Sequence, residues 1–470
     1  MDLNLERLEQ KLVNSSDVTY REIYCQDELI TVVGIENMTD DVKLSQYIIE
    51  PLLNYNKPFS DVETLCREAI LAGPATKVSC IEEAFEHLSN GCVLLFFTSY
   101  TEVIHCNVSG FAKRPVDIPT SEATVKGPRE GFSEDIQDNL SLIRRRVKTS
   151  DLKAERFKLG KKSLTSCYML YIDGTAPAEV VKYVREKIEI VAMSRNYIFY
   201  SNNIEESLKA KSTAFDTVGY SEKPDICAQK ISEGRIILLV DGSSNVAVVP
   251  YFFNDSFQVT DDYTMNKYMA NTARFLRFAS FWAATLVPGL YIALVTHHFR
   301  LIPTILLFKM AMYRAVVPVP TIIELIIMIG FFQILREAAV RLPQPIGSTL
   351  SIIGALILGD AAVASGLASQ ITVVVVGITS ICSYLVPKLY VAIFYWNTLI
   401  VILSVLLGLP GFYIGFVMLI AHMADLNTVG YPYVNPIGTR SVLKYQDFVY
   451  RGSLNEIGNP SFFNKEGENE

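Results

Sequence analysis

The stretch REAAVRLPQPIGSTLSIIGALILGDAAVASGL, residues 336–367, decides the class of this protein. It places Arg336, Glu337, Arg341 and Asp360 inside or at the edge of apolar runs that are long enough to meet a lipid bilayer. An ionisable side chain at membrane depth is energetically costly, so it usually faces a partner, a cavity or a water path. The stretch therefore favours conduction or signalling across a membrane over a purely structural anchor.

Charge is unevenly distributed along the 470 residues. The segment from Arg274 to Asp425 contains eight basic and four acidic residues, a net charge of +4, and the remainder carries −11, which together give the −7 of the whole chain. Because charges are rare from Phe275 to Met423, we predict a membrane domain there and lipid as its surroundings. The acidic remainder argues against nucleic acid as a partner.

The N-terminal sequence MDLNLERLEQKL is charged and lacks the apolar run of a signal peptide. With Arg274 and Arg277 beside the first apolar segment, it predicts a cytoplasmic N-terminal region. The eight cysteines include no C-x-x-C pair, and the five histidines have no metal-ligand spacing. We therefore expect reduced thiols, no metal site and no cofactor.

Residues 1–255 predict two α/β subdomains, 1–126 and 150–255, joined by a helical linker at 127–149. The patterns that support this are a buried strand at 92–98 paired with 102–108, a helix at 81–88, a strand at 164–173, a helix at 178–191, and a hairpin formed by 235–241 and 245–253.

The linker helix is predicted at 131–148, with Ser133 as its N-cap and Arg144 to Arg146 in its last turn. Two interpretations of the three arginines stay open: an interface with another subunit or with anionic headgroups, and a solvated helix end.

The α-helical transmembrane domain is predicted at 270–423, with about five or six segments of the roughly 20 apolar residues that a span needs. The segments are 275–296 with a kink at Pro288, 321–339, 346–369, 371–387 and 389–423, which can form two spans with a break at 408–411. Segment 301–320 is doubtful, because charges and prolines interrupt it, and fits an interfacial or re-entrant segment. A polar tail follows at 424–470, and we expect its end to be disordered.

Small residues recur at steps of three or four in 346–369 and predict one helix-packing face, formed by Ser351, Ala355, Gly359, Ala362 and Gly366. Asp360 lies about 100° around the helix from Gly359. It either faces a pore, where a ring of carboxylates attracts cations, or bonds to a neighbouring helix.

Other charged residues in the membrane domain are further pore or gate candidates. Glu337 and Arg341 are spaced for an ion pair, which is either a latch at a gate or a clamp on the helix end. Glu324 has no local partner, and Arg314 or Arg277 are its candidates across helices.

The soluble half contains no Gly-rich phosphate loop, no G-x-S-x-G, no H-E-x-x-H and no Walker pattern, so we predict that the protein is not an enzyme. Three other classes of protein are alternatives: a small-solute secondary transporter, a membrane-tethered enzyme and an assembly scaffold. The transporter predicts inverted repeats, which residues 275–423 do not show.

Several motifs resemble the A subunit of GerA-type spore germinant receptors. They are GPREGFSEDIQDNLSLIRRRV (127–147), SEKPDICAQKISEGRIILLVDGS (221–243), FLRFASFW (275–282), REAAVRLPQPIG (336–347) and GDAAVASGLAS (359–369). The resemblance covers nearly the whole chain in order. One departure is Asp360, where many members carry glutamine.

This resemblance implies a fold and a function. The fold is a cytoplasmic region of two α/β subdomains with a helical linker, followed by a membrane domain in the spore inner membrane. The partners are a transporter-like B subunit that binds the nutrient and a lipoprotein C subunit. A subunits of this kind are expected to oligomerise, as pentamers, into a nutrient-gated channel that releases monovalent cations. A SpoVAF-type amplifying channel has the same architecture and stays an alternative.

Overall fold

The structure is a computed structural model of the chain. It describes residues 4–25, 28–36, 38–55, 62, 64, 68–72, 75–78, 80–100, 102–110, 127–198, 201–209, 211–341, 354, 357–437 and 447–452. Two five-stranded sheets come first along the chain and apolar helices follow, as the sequence predicted.

The first sheet has the strand order β1-β2-β4-β5-β3, and every neighbouring pair is antiparallel. Its strands are β1 Val18–Cys25, β2 Glu28–Ile35, β3 Thr76–Val78, β4 Cys92–Phe97 and β5 Val103–Asn107. Helix α1 (Leu5–Lys11), the short helical segments Asp41–Leu44, Ser45–Ile49 and Glu50–Leu53, and helix α2 (Ile81–Ser89) accompany it. All six residues of β4 are buried, because the sheet is covered by apolar side chains on both faces.

The second sheet has the order β6-β7-β9-β10-β8, again with antiparallel neighbours. Its strands are β6 Leu152–Leu159, β7 Thr165–Ile172, β8 Gly219–Ser221, β9 Ile236–Val240 and β10 Val246–Val249. Its helices are α3 (Ile136–Arg144), α4 (Ala178–Ser194), α5 (Asn202–Leu208) and α6 (Pro224–Ser232). Helix α4 buries the stripe Val180, Val184, Ile188 and Val191 at helical spacing, which packs it against one face of the sheet.

Helix α3 lies in the predicted linker, but its N-cap is Asp135, whose carboxylate accepts the N–H groups of Gln137 and Asp138. The predicted cap, Ser133, instead accepts the N–H of Asp135. Both interpretations of Arg144 were wrong, because its guanidinium is fully buried and donates to Asp17 at 2.8 and 2.7 Å. This pair joins the linker helix to the turn before β1.

The helical region has six α-helices after the short α7 (Asp261–Thr264), counted within the described residues. They are α8 Lys267–Thr296, α9 Thr304–Arg314, α10 Thr321–Arg341, α11 Gln370–Tyr384, α12 Tyr390–Leu407 and α13 Leu409–Asp425. Helical turns at Ile357–Ala361 and Ala362–Ala364 lie between α10 and α11. Segment 371–387 is thus helical, and the break near 408–411 falls at Gly408, which adopts a φ of +69° between α12 and α13.

Within the described ranges, two helices, Lys267–Thr296 and Pro387–Leu407, are long and apolar enough to cross a membrane. Gln370–Tyr384 and Leu409–Asp425 are shorter apolar helices. Pro288 lies inside α8, as predicted. The doubtful segment 301–320 contains α9, whose only buried residue is Met310.

The described part of the predicted polar tail is built into the fold. The two-stranded hairpin β11 (Asn427–Thr428) and β12 (Tyr431–Pro432) packs beside the second sheet, and the Thr428 hydroxyl donates to the Thr217 carbonyl at 2.7 Å. The predicted disorder of the chain end falls on residues outside the described ranges.

A buried ionic network lies where the sheets meet the apolar helices. Arg274, which is fully buried in α8, contacts Asp262 at 3.1 Å and Asp447 at 2.6 Å. Arg277 also bonds to Asp262. The two arginines expected beside the first span are therefore both held in ion pairs with Asp262 of α7, and the pair of Arg274 with Asp447 joins α8 to the C-terminal segment.

Candidate functional site

Glu324 is fully buried in the first turn of α10. Its Oε1 atom accepts the backbone N–H of Ser369, the residue that caps α11. A helix N-terminus carries a partial positive charge of roughly half an elementary charge, and this favours a carboxylate placed against it. The N-terminus of α11 therefore stabilises the carboxylate of Glu324 on α10.

A chain of hydroxyl groups begins at Ser369, the residue whose N–H this carboxylate accepts. The Oγ1 atom of Thr372 lies 2.9 Å from the Tyr291 hydroxyl of α8 and 3.1 Å from the Ser369 hydroxyl, and all three residues are buried. The Oε2 atom of Glu324 is buried and has no hydrogen-bond partner among the described residues. One carboxylate oxygen is thus left for a water, a cation or a group from another chain.

Neither predicted arginine pairs with Glu324. Arg277 is bound to Asp262. In the part of the chain that the structure describes, Glu324 makes no ion pair, with Arg314 or with any other residue. The predicted partner was wrong: one carboxylate oxygen accepts a backbone N–H, and the other has no partner among the described residues.

Arg336 lies farther along α10 and meets aromatic rings. Its guanidinium carbon is 3.2 Å from the centre of the Tyr390 ring and 5.0 Å from that of Tyr384. The Tyr390 hydroxyl donates to Gln333 Oε1. The Nη1 atom of Arg336 is buried without a hydrogen-bond partner in the described ranges. Ring faces attract such a cation, but they leave its N–H groups available.

A small cleft of about 40 Å³ lies between α8, α10, α11 and α12. Polar side chains line much of it: Gln333, Thr379, Ser380, Ser383, Asn397 and Thr398. The Oδ1 atom of Asn397 is buried there and has no partner among the described residues. Hydroxyl and amide groups inside an apolar bundle can replace water around a polar solute or ion.

Comparison with known proteins gives consistent matches over most of the chain. The family model described as Bacillus/Clostridium GerA spore germination protein matches residues 6–461. The chain belongs to the GerA family. The resemblance stated from its motifs is therefore confirmed.

Relatives of this GerA-family chain include spore germination protein KA of Bacillus subtilis (strain 168), 32% identical over 95% of this chain and 84% of that protein. Spore germination protein GerLA of Bacillus cereus is 28% identical over 92% of this chain and 89% of that protein. The crystal structure of the N-terminal domain of the A subunit of the Bacillus megaterium spore germinant receptor GerK3 shares 24% identity, with a TM-score of 0.40, over 53% of this chain and 94% of that one.

The other predicted site residues of this GerA-family protein are more exposed. The ion pair of Glu337 and Arg341 is present, with 2.6 Å between Nη2 and Oε1, but the two side chains are 65% and 76% exposed. Asp360 is exposed in the turn Ile357–Ala361. Among the described residues, Asp360 thus contacts none of the buried polar side chains of the helices.

The predicted packing face is only partly described, since Ser351 and Ala355 lie outside the described residues. Ala362 is buried, and a side chain at the half-buried Gly359 would meet no atom of the described residues within 4 Å. The helix does not reach 369. It ends after Ala364, because Gly366 adopts a φ of +69°. The N–H of Gly366 donates to the Val363 carbonyl, and the N–H of Leu367 donates to the Ala362 carbonyl, which is a helix C-cap. Gly366 therefore terminates the helix instead of extending its face.

Sequence reasoning missed Tyr291, Ser369, Thr372 and Tyr390 in this GerA-family chain. One signal was available for Ser369: it stands two residues before the apolar run ITVVVV, where a serine marks a helix N-terminus. A buried helix start offers free N–H donors, which suit a carboxylate without a local partner such as Glu324.

Proposed function

We propose that this protein is the A subunit of a spore germinant receptor and that it oligomerises, as a pentamer, into a nutrient-gated ion channel in the spore inner membrane. The channel releases monovalent cations to start germination. A B subunit that binds the nutrient and a lipoprotein C subunit are its partners in this proposal. Family membership and relatives named as spore germination proteins support the role in germination.

The observation that carries the proposed conduction is the environment of Glu324. A buried carboxylate in an apolar helix bundle is costly unless its oxygens are satisfied. Here one oxygen is satisfied by the N-terminus of α11 and the other is not, within the described residues. A permeating cation or its water supplies the missing partner.

The direction of the helices supports a membrane domain of six crossings. Two contacts mark one end of the bundle. His298, after the end of α8, meets Leu409 at the start of α13, and Glu324 at the start of α10 meets Ser369 at the start of α11. Contacts of Arg336 with Tyr384 mark the opposite end. Because α10 and α11 both run from the first end to the second, we assign the return crossing between them to the predicted span 346–369.

In this proposal the crossings are α8, α10, the segment that contains Ile357–Ala364, α11, α12 and α13, and α9 does not cross. Both sheets and the hairpin β11–β12 then lie on one side, the cytoplasmic side. The proposed division is 1–126 and 150–255 for the subdomains, 127–149 for the linker, 270–423 for the membrane domain and 424–470 for the C-terminal region.

The exposed groups are assigned to the subunit interface and the pore. A side chain at Gly359 would meet no atom of the described residues, and a small residue here suits the close approach of a helix from a second copy. Asp360, next to it, is exposed and is placed along the conduction path with the Glu337–Arg341 pair and Arg336. A ring of carboxylates from several copies attracts cations.

The test is potassium release from spores that carry Glu324→Gln and lack other germinant receptors, with yeast extract as the nutrient. Glutamine keeps the shape and the acceptor for Ser369 but removes the charge. We expect release to slow by about tenfold, which corresponds to about 1.4 kcal/mol in the barrier.

The matched control is Glu186→Gln, which removes an exposed carboxylate on α4, and protein level is checked by immunoblot. Release at the wild-type rate in Glu324→Gln spores would contradict the proposed role of this carboxylate. A normal onset followed by a slower later phase would indicate the SpoVAF-type amplifying channel instead of the receptor subunit.

A further inference from the structure

Three side chains that can bind metal ions meet at one edge of the first sheet. His87 lies in the last turn of α2, Cys92 is the first residue of β4, and His105 lies in β5. One ring nitrogen of each histidine and the Cys92 sulfur all lie within 4.8 Å of one another. The sequence spacing did not reveal this cluster, because three different elements supply it.

The pairing register explains why the sulfur and His105 face the same way. Cys92 is opposite Asn107 and Leu94 is opposite His105. Residues two apart on a strand share a face, and diagonal neighbours across antiparallel strands are within reach of long side chains. The short turn between α2 and β4 then brings His87 over the same spot.

The local geometry holds the two imidazoles in a defined orientation. Their rings are stacked, with centres 3.6 Å apart and planes inclined by 8°. The Thr76 hydroxyl of the neighbouring strand lies 3.0 Å from His105 Nδ1. A hydrogen bond to one ring nitrogen of a histidine commonly orients the other toward a metal ion. Cys92 is buried, and both histidines are half-buried, so the cluster is reachable from solvent.

We propose that His87, Cys92 and His105 form a zinc site. Thiolate sulfur and imidazole nitrogen are the ligands that zinc prefers, and three protein ligands leave a fourth position for water. On binding, the thiol releases its proton to solvent and the sulfur bonds to the ion. The ion would cross-link α2 to β4 and β5 and so stabilise the first sheet.

The experiment uses the full-length protein purified in detergent. After treatment with a chelator and its removal, zinc is titrated and the bound metal is measured by mass spectrometry. We expect one zinc ion per chain and a higher Tm with zinc, since a ligand that binds the folded state stabilises it. His87→Ala and His105→Ala should weaken zinc binding by at least the roughly 10- to 100-fold that loss of a supporting contact costs.

Two variants serve as matched controls. Cys25→Ser removes another buried thiol of the same sheet, and His297→Ala removes a histidine outside it. Both should bind zinc as the wild type does. Equal loss of zinc in these controls, or wild-type affinity in His87→Ala, would overturn the site.

Cobalt gives a direct readout of the sulfur ligand. Co²⁺ bound at the site should show a thiolate-to-cobalt charge-transfer band in the near ultraviolet, which Cys92→Ser abolishes. If Cys92→Ser fails to fold, the half-buried histidine variants decide the question through the same titration. A wild-type protein that shows no such band and retains no zinc after desalting would refute the proposal.

Discussion

Buried charged side chains have different partners in the sheet region and in the apolar helices. Beside the second sheet, Arg235 is fully buried and contacts Asp255, with 3.0 Å between Nη2 and Oδ1. In the helices, Glu324 is equally buried, but among the described residues it accepts a hydrogen bond only from a helix N-terminus. Arg336 likewise meets ring faces instead of a carboxylate.

This difference separates groups that hold the fold from groups that are available for function. A buried ion pair is self-contained, and removing one partner leaves an uncompensated charge, which costs about 3–5 kcal/mol. A buried charge without an opposite charge keeps its capacity to attract a mobile ion. The first arrangement predicts large effects on stability, and the second predicts larger effects on ion movement than on stability.

The largest effect on stability is expected for Asp255→Asn. The substitution removes the more buried of the two carboxylates shared by Arg235 and Lys230, whose Nζ atom lies 3.1 Å from Asp255 Oδ1, and leaves Glu233 as the other. The free energy of unfolding should fall by about 3 kcal/mol at neutral pH, because two cations lose their fully buried carboxylate partner. Urea unfolding of the purified protein measures this fall.

The effect of Asp255→Asn should depend on pH. Burial alone would raise the pKa of Asp255, but attraction by Arg235 and Lys230 outweighs it and holds that pKa well below its usual value. A carboxyl group with a lowered pKa stabilises the fold above the unfolded-state pKa of about 3.9 and loses this contribution as the pH falls further. The difference from wild type should therefore be full at neutral pH and shrink below about pH 4.

The control for this prediction is Asp425→Asn. Asp425 forms an exposed ion pair with Lys211, with 2.5 Å between Oδ2 and Nζ. Exposed pairs are screened by solvent, so no measurable loss of stability is expected. An equal loss in both variants would show that burial does not separate the two kinds of charge.

An intermediate effect is expected for the contact of Arg336 with Tyr390. A double-mutant cycle of Arg336→Met and Tyr390→Leu should give a coupling free energy of about 1–2 kcal/mol, the range of partly desolvated cation–π contacts. Urea unfolding of the four proteins supplies the values. Tyr390→Phe keeps the ring face and removes only the hydroxyl, so its coupling to Arg336 should persist. Coupling that vanishes in Tyr390→Phe would assign the interaction to the hydroxyl.

The sequence predicted the elements better than the contacts. The pair β4–β5 follows from two apolar runs on either side of a short turn, and the end of α12 follows from a glycine before a proline. These features are local, so their residue types reveal them. The order of α/β sheets before helices was confirmed for the same reason.

The candidate site depends on contacts that residue spacing does not encode. Asp17 and Arg144 are 127 positions apart, and Glu324 bonds to a backbone N–H, a donor that every residue except proline carries. Proximity of this kind exists only after the helices have packed. Residue types therefore indicated that Glu324 needed a partner, but they did not identify it.

The smallest effect on stability is expected for Asp360→Ala. This side chain is exposed within one chain and makes no hydrogen bond or ion pair among the described residues, so the free energy of unfolding should change by less than about 0.5 kcal/mol. If copies of Asp360 line the conduction path, potassium release after addition of yeast extract should nevertheless slow, by less than in Glu324→Gln, because an exposed carboxylate is better screened than a buried one.

Asp241→Ala is the matched control, because it removes an exposed carboxylate from the turn after β9, far along the chain from the apolar helices. Its spores should release potassium as wild type does. Wild-type release from Asp360→Ala spores with a normal protein level would make Asp360 a surface residue with no part in conduction. The comparison of paired and unpaired charges would then rest on the buried groups alone. The ion-conduction path would be sought beside Glu324 and along α11, where hydroxyl groups face the polar cleft.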